Sequence, residues 1–118
     1  MKKEKEVTIR NLQDWDRDFS KRKGVEFSEE ELIQMCILKL IEEVGEMAKA
    51  LYERDWKTVQ AEICDVITFV VKIANVAEDF HGEEELSKVF RKKIEYSEAR
   101  QFDRKTGKFS KPGGYEFK

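Results

Sequence analysis

The sequence predicts an all-α fold, an antiparallel bundle of four helices. Three observations predict it. Apolar residues recur at steps of three and four through four successive segments, the period of a helix with a buried face. The single proline is Pro112, so residues 1–111 hold no proline break. Only six glycines are present, too few for the many turns of a sheet protein. Short connectors between long helices favour antiparallel neighbours. A chain of 118 residues suits one domain, placed at residues 1–102, with a tail at 103–118 that is flexible or docked.

The first helix is expected over residues 8–23, where Ile9, Leu12, Trp15, Asp16 and Phe19 recur at helical spacing and the apolar members form one face. Gly24 ends it. Ser28 then stands three residues before Glu31, the capping-box arrangement that opens a helix over 29–53. Leu32, Met35, Cys36, Leu40, Met47 and Leu51 line one side of that helix. Ile33, Ile37, Ile41, Val44 and Ala48 widen the apolar arc, so contact on more than one side is expected. Asp55 is the N-cap of a third helix over 56–79. Its centre, residues 63–71, is rich in β-branched residues and in isolation also reads as a buried strand. No breaker occurs between Trp56 and His81, which favours helix. Gly82 separates a fourth helix over 83–101, carrying Leu86, Val89, Phe90 and Ile94, with Phe102 at its margin. Lys, Gly, Ser and Pro dominate the remainder.

Composition excludes several functions. A net charge of −2 gives no basic excess for neutralising the phosphates of a nucleic acid duplex. No apolar run approaches membrane-spanning length. The N-terminus is charged and no apolar leader segment follows, which points to a cytoplasmic protein. Cys36 and Cys64 lie in apolar helical patterns and read as reduced and buried.

The chemistry concentrates in carboxylates. Glu42, Glu43 and Glu46 share a region of the second helix, and Glu62 and Asp65 share one of the third, since residues three or four apart lie on one face. With 25 acidic residues in the chain, the spacing alone carries little weight. The surroundings carry more. Between Thr58 and Val71, Glu62 and Asp65 are the only charged residues, and their neighbours are apolar. Buried carboxylates are costly unless paired or bound to a cation, and facing carboxylates raise each other's pKa. An antiparallel pair of helices turning near Arg54 brings both acidic groups to one place. A divalent cation then relieves both costs; the alternative is pairing with Lys or Arg, or an outward orientation. All-oxygen ligands suit Mg²⁺, with Mn²⁺ as a substitute. A di-iron bundle needs Glu-x-x-His pairs, and the only histidine, His81, stands elsewhere, at a helix end. Mg²⁺ held by carboxylates meets substrate phosphates, and Lys92, Lys93 and Arg100 of the fourth helix offer cations to complete such a pocket. Lys93 and Arg100 are two turns apart on one face; a solvated basic stripe is the other reading. Trp15, Phe19, Tyr52 and Trp56 are stacking candidates for a base, although aromatic residues at this spacing also serve as core.

The run Glu42-Glu43-Val44-Gly45-Glu46, fifteen further residues, then Glu62-Ile63-Cys64-Asp65 resembles the signature of the MazG-like all-α nucleoside triphosphate pyrophosphohydrolases. Lys93-Ile94-Glu95-Tyr96-Ser97-Glu98-Ala99-Arg100 is similar to that family's later K-x-x-x-N-x-x-R element. The resemblance spans residues 30–102. It implies a metal-dependent hydrolase that cleaves a nucleoside triphosphate to a monophosphate and pyrophosphate. Glu43, Glu46, Glu62 and Asp65 become Mg²⁺ ligands. Glu42 binds a further ion or orients the attacking water, so that Glu42 and Glu43 are the catalytic carboxylates. Lys93, Ser97 and Arg100 hold phosphates, with Ser97 standing where the family has Asn. A homodimer or homotetramer is implied, with sites near subunit contacts. Related substrates such as dUTP, dCTP or phosphoribosyl-ATP remain alternatives, as does a non-catalytic helical assembly module.

Overall fold

The computed structural model describes residues 4–115. The charged start at Met1-Lys2-Lys3 and the end of the tail, Glu116-Phe117-Lys118, lie outside the described residues. The elements are α1 (Ile9–Arg22), α2 (Glu29–Glu53), α3 (Trp56–His81), α4 (Leu86–Ala99), β1 (Phe102–Asp103) and β2 (Lys108–Phe109). The fold is all-α: the described residues form four helices and one short hairpin. The chain divides into two compact units between Glu83 and Glu84.

In the first unit, α2 and α1 each pack on α3. Helix α2 starts where the capping box places it: Glu31 N donates to Ser28 Oγ and Ser28 N to Glu31 Oε1, both at 3.2 Å. Glu29, Glu30 and Glu31 in its first turn oppose the positive end of the helix dipole. A two-residue connection follows. Arg54 adopts the left-handed conformation at φ 58°, which non-glycine residues seldom occupy. Asp55 then caps α3, accepting from Thr58 N at 3.3 Å and from Thr58 Oγ1 at 2.7 Å. So tight a link makes α2 and α3 an antiparallel helical hairpin. The β-branched stretch 63–71 is helical throughout, because tertiary packing, which buries Val71, outweighs its β propensity. Helix α3 runs on to His81, whose ring meets Glu29 at the start of α2. No helix among the described residues is long and apolar enough to cross a membrane.

Helix α1 differs from expectation. Thr8 caps it, reciprocally with Asn11 at 3.0 and 3.2 Å. The face turned to α3 is polar: Gln13 is 1 % exposed and Asp16 5 %, whereas Trp15 and Phe19 remain accessible. Asn75 of α3 explains this. Gln13 Nε2 donates to Asn75 Oδ1 at 3.0 Å, and Asn75 Nδ2 donates to Gln13 O and to Asp16 Oδ2, each at 3.0 Å. Lys72 Nζ pairs with Asp16 Oδ1 at 2.7 Å and donates to Ser20 Oγ at 3.0 Å. Arg17 bonds both Glu78 and Asp79. These groups satisfy one another, which lets a polar seam be buried. A cavity of about 390 Å³ borders this seam. Cys36 is buried, and burial pushes its thiol up. Cys64 is exposed, contrary to expectation; both thiols are free.

In the second unit, α4 is shorter than expected at both ends. Glu85 is extended and supplies no side-chain cap, and Arg100 leaves the helix at ψ 148°. Phe102 belongs to a hairpin rather than to the helix margin. Phe102 pairs with Phe109 and Asp103 with Lys108. The turn closes through Gly107 N to Asp103 O at 2.8 Å, with Gly107 at φ 69°. The described part of the tail is therefore folded onto the end of α4 through Ser110, which exchanges hydrogen bonds with Gln101.

Candidate functional site

The tight α2–α3 hairpin places acids of both helices together. Ligand oxygens of Glu43, Glu62 and Asp65 all lie within 4.8 Å of one another. Glu43 and Glu62 are half-buried and Asp65 is exposed. One oxygen of each glutamate, Glu43 Oε2 and Glu62 Oε2, is buried with no hydrogen-bond partner. No lysine or arginine among the described residues pairs with Glu43, Glu46, Glu62 or Asp65. Glu46 is exposed, one turn further along α2, and its charge acts on both glutamates. Glu42 lies outside the group and pairs with Lys39 at 3.4 Å. An open cleft of about 400 Å³ adjoins the acids, bounded by Glu46, Glu62, Lys49 and Thr58.

The electrostatics follow from crowding. The Glu43 carboxyl is raised from 4.5 to about 7, first by burial, then by its contact with the Glu62 carboxyl, then by the charges of Glu46, Asp65 and Glu62. Glu62 is also raised, again chiefly by burial, while its contact with Glu43 acts in the opposite sense. Over the interval between 4.5 and about 7 the folded chain holds a proton that the unfolded chain has released, so raising the pH weakens the fold. Without divalent ions, the melting temperature is expected to fall as pH rises from about 5 to about 8. Glu43→Gln should flatten that slope, and melting curves by circular dichroism at stepped pH check it.

Does a metal suit these residues? Two buried oxygens without partners and a donor set made only of carboxylates fit a hard divalent cation, whose charge removes the repulsion. Histidine and thiolate ligands are absent from the group, which disfavours zinc.

The remaining expected residues fall as follows. Trp15 and Phe19 stack on each other with centroids 5.0 Å apart. They belong to α1, which meets α3 at Lys72 and Asn75. Lys72 lies roughly 10 Å along the axis from Asp65 and roughly 15 Å from Glu62. Trp56 opens α3 and is 61 % exposed; Tyr52 is 83 % exposed near the end of α2. In the second unit, Lys92 pairs with Glu84 at 2.8 Å. Lys93 Nζ and Arg100 Cζ both sit over the Tyr96 ring, at 5.5 and 5.4 Å from its centroid, so the two share a face. Ser97 is exposed on the same helix. The polar seam and the hairpin around Arg100 are not among the sequence expectations. A paired signal existed for the seam: Gln13, Asp16, Arg17 and Ser20 repeat at helical spacing opposite Lys72, Asn75, Glu78 and Asp79.

Four helices, with an acidic cluster set across an antiparallel pair, define an all-helical protein suited to hard-cation chemistry. Residues 31–103 match the MazG nucleotide pyrophosphohydrolase domain, and the chain belongs to that family. No curated protein and no solved structure gives a significant match. Nucleotide pyrophosphohydrolysis, a hydrolase reaction, is the activity class this domain carries.

Proposed function

We propose that this chain is a Mg²⁺-dependent nucleotide pyrophosphohydrolase that converts a nucleoside triphosphate to its monophosphate and pyrophosphate. One observation carries the reading: Glu43, Glu62 and Asp65 converge within 4.8 Å, with two buried oxygens left unbonded. Those three residues and Glu46 hold the ion. Bound there, Mg²⁺ shields phosphate oxygens and lowers the pKa of a water ligand. Glu42, exposed beside the group, orients the attacking water or holds a further ion. Lys93, Ser97 and Arg100 hold phosphates, with Ser97 bonding more weakly at a distance than the longer Asn would. Trp15, Phe19 and Trp56 are accessible rings for a base. Mn²⁺ should substitute for Mg²⁺, since it accepts the same oxygen donors. The free thiols suit a reducing, cytoplasmic setting.

The test is pyrophosphate release across ribo- and deoxynucleoside triphosphates with Mg²⁺. Release from a subset of them supports the reading and names the substrate. No release from any, with phosphoribosyl-ATP included, sinks it.

The reading includes a homodimer or homotetramer. Its support is the outer face of α2, where Ile33, Ile37, Ile41, Val44 and Leu51 remain exposed. At 100° per residue they fall within an arc of about 80° over about 27 Å of helix, a continuous stripe of the kind that marks an interaction surface. The native chain is expected to sediment above monomer mass, and Ile41→Glu to shift it to monomer. A monomeric native chain would contradict this.

A further inference from the structure

We infer that the C-terminal hairpin is a positioning device for Arg100, and that Phe109 and Ser110 act through that guanidinium on phosphate binding. The inference rests on the phosphate-binding role proposed for Arg100. It goes beyond the family match, which ends at residue 103 and so leaves Lys108, Phe109 and Ser110 outside it.

The geometry is local to the second unit. As the chain leaves α4, Arg100 Nε donates to the Ser110 carbonyl at 2.8 Å. Its Cζ lies 5.0 Å from the centroid of the Phe109 ring and 5.4 Å from that of Tyr96. The hairpin supplying Phe109 and Ser110 is itself braced. Ser110 N donates to Gln101 O at 2.8 Å, Gln101 N donates to Ser110 Oγ at 2.9 Å, and the rings of Phe102 and Phe109 are 5.0 Å apart. Tyr96 is held in turn by an edge contact with Tyr115, 5.5 Å between centroids.

These contacts use part of what a guanidinium offers. Aromatic rings attract its charge without using its hydrogen-bond donors, and the Ser110 carbonyl uses only the Nε donor. Among the described residues no carboxylate pairs with Arg100, and its Nη nitrogens make no hydrogen bond. Here the side chain is fixed while its two-nitrogen fork is kept for an external acceptor, and that fork matches two oxygens of one phosphate group. Fixing the side chain beforehand removes ordering that binding would otherwise have to supply. Lys93 over the same Tyr96 ring adds a second cation on that side. A mobile tail could supply none of this restraint.

Titration calorimetry with inorganic pyrophosphate tests the inference on the native chain and on Phe109→Leu, Phe109→Tyr, Arg100→Ala and the Arg100→Ala/Phe109→Leu double variant. Melting curves are run on each. Phe109→Leu is expected to weaken binding about three- to tenfold. Phe109→Tyr, which keeps the ring, is expected to bind as the native chain does. Once Arg100 is absent, Phe109→Leu should have no further effect. An unchanged affinity in Phe109→Leu, or an equal loss in both backgrounds, overturns the hairpin's role while leaving Arg100 as a phosphate ligand. Native affinity in Arg100→Ala removes the phosphate role of Arg100 itself, and the inference with it.

Discussion

Asp65→Asn is expected to lower pyrophosphate release by about 100-fold or more, with helix content unchanged. Even outer partners of metal ligands typically change affinity or activity by about 10- to 100-fold, so loss of a direct ligand should do at least as much. Asp65 suits the experiment because its side chain is exposed and pairs with no cation among the described residues. The amide therefore leaves no buried partner stranded, and lost activity cannot be ascribed to unfolding. Glu62→Gln should have a similar effect on turnover while stabilising the metal-free fold, because it removes one of the carboxyls whose burial is unfavourable. Steady-state pyrophosphate release, measured beside circular dichroism, checks both. Native turnover in both variants would exclude the site.

The largest effect on stability is expected far from that cluster. Asp16 and Lys72 have side chains only 7 % and 14 % exposed and meet at 2.7 Å. Asp16→Ala leaves the Lys72 charge without its partner and takes an acceptor from Asn75 Nδ2. Breaking a buried pair from one side costs about 3–5 kcal/mol, which for a domain of this size is about 10–20 °C in melting temperature. Asp18→Ala is the control. Its partner Arg22, at 2.6 Å, is exposed, as is Asp18 itself, and such a surface pair contributes about 0–1 kcal/mol. Thermal melts of the two variants separate these cases; equal shifts would contradict the importance of the seam.

Where the sequence was informative, the cause was local. Ser28 with Glu31, and Asp55 with Thr58, fix helix starts through hydrogen bonds spanning three residues. The link at Arg54 and Asp55 then dictates antiparallel packing. From these the approach of Glu43 to Glu62 and Asp65 follows from helical period alone. Two things were not legible, because neither is local. The apolar members of α1 form one face, yet Gln13 and Asp16 take the contact with α3 because Asn75 and Lys72, some sixty residues later, supply matched partners. The period alone does not say which of two adjacent stripes faces inward. Similarly, Lys, Gly and Ser after residue 102 read as a tail that is flexible or docked, and composition does not decide between the two. The hairpin depends on Arg100 meeting Phe109 and the Ser110 carbonyl, and composition does not encode that contact.

The proposed site depends most on one cation being shared by acids of α2 and α3. Mn²⁺ binding followed by electron paramagnetic resonance measures this without requiring turnover or a known substrate. Native protein should take up Mn²⁺ with an affinity that Glu62→Gln and Asp65→Asn each reduce at least about tenfold, while Glu30→Gln on the first turn of α2 leaves it unchanged. Equal binding by all four proteins, or none by the native chain, would contradict it.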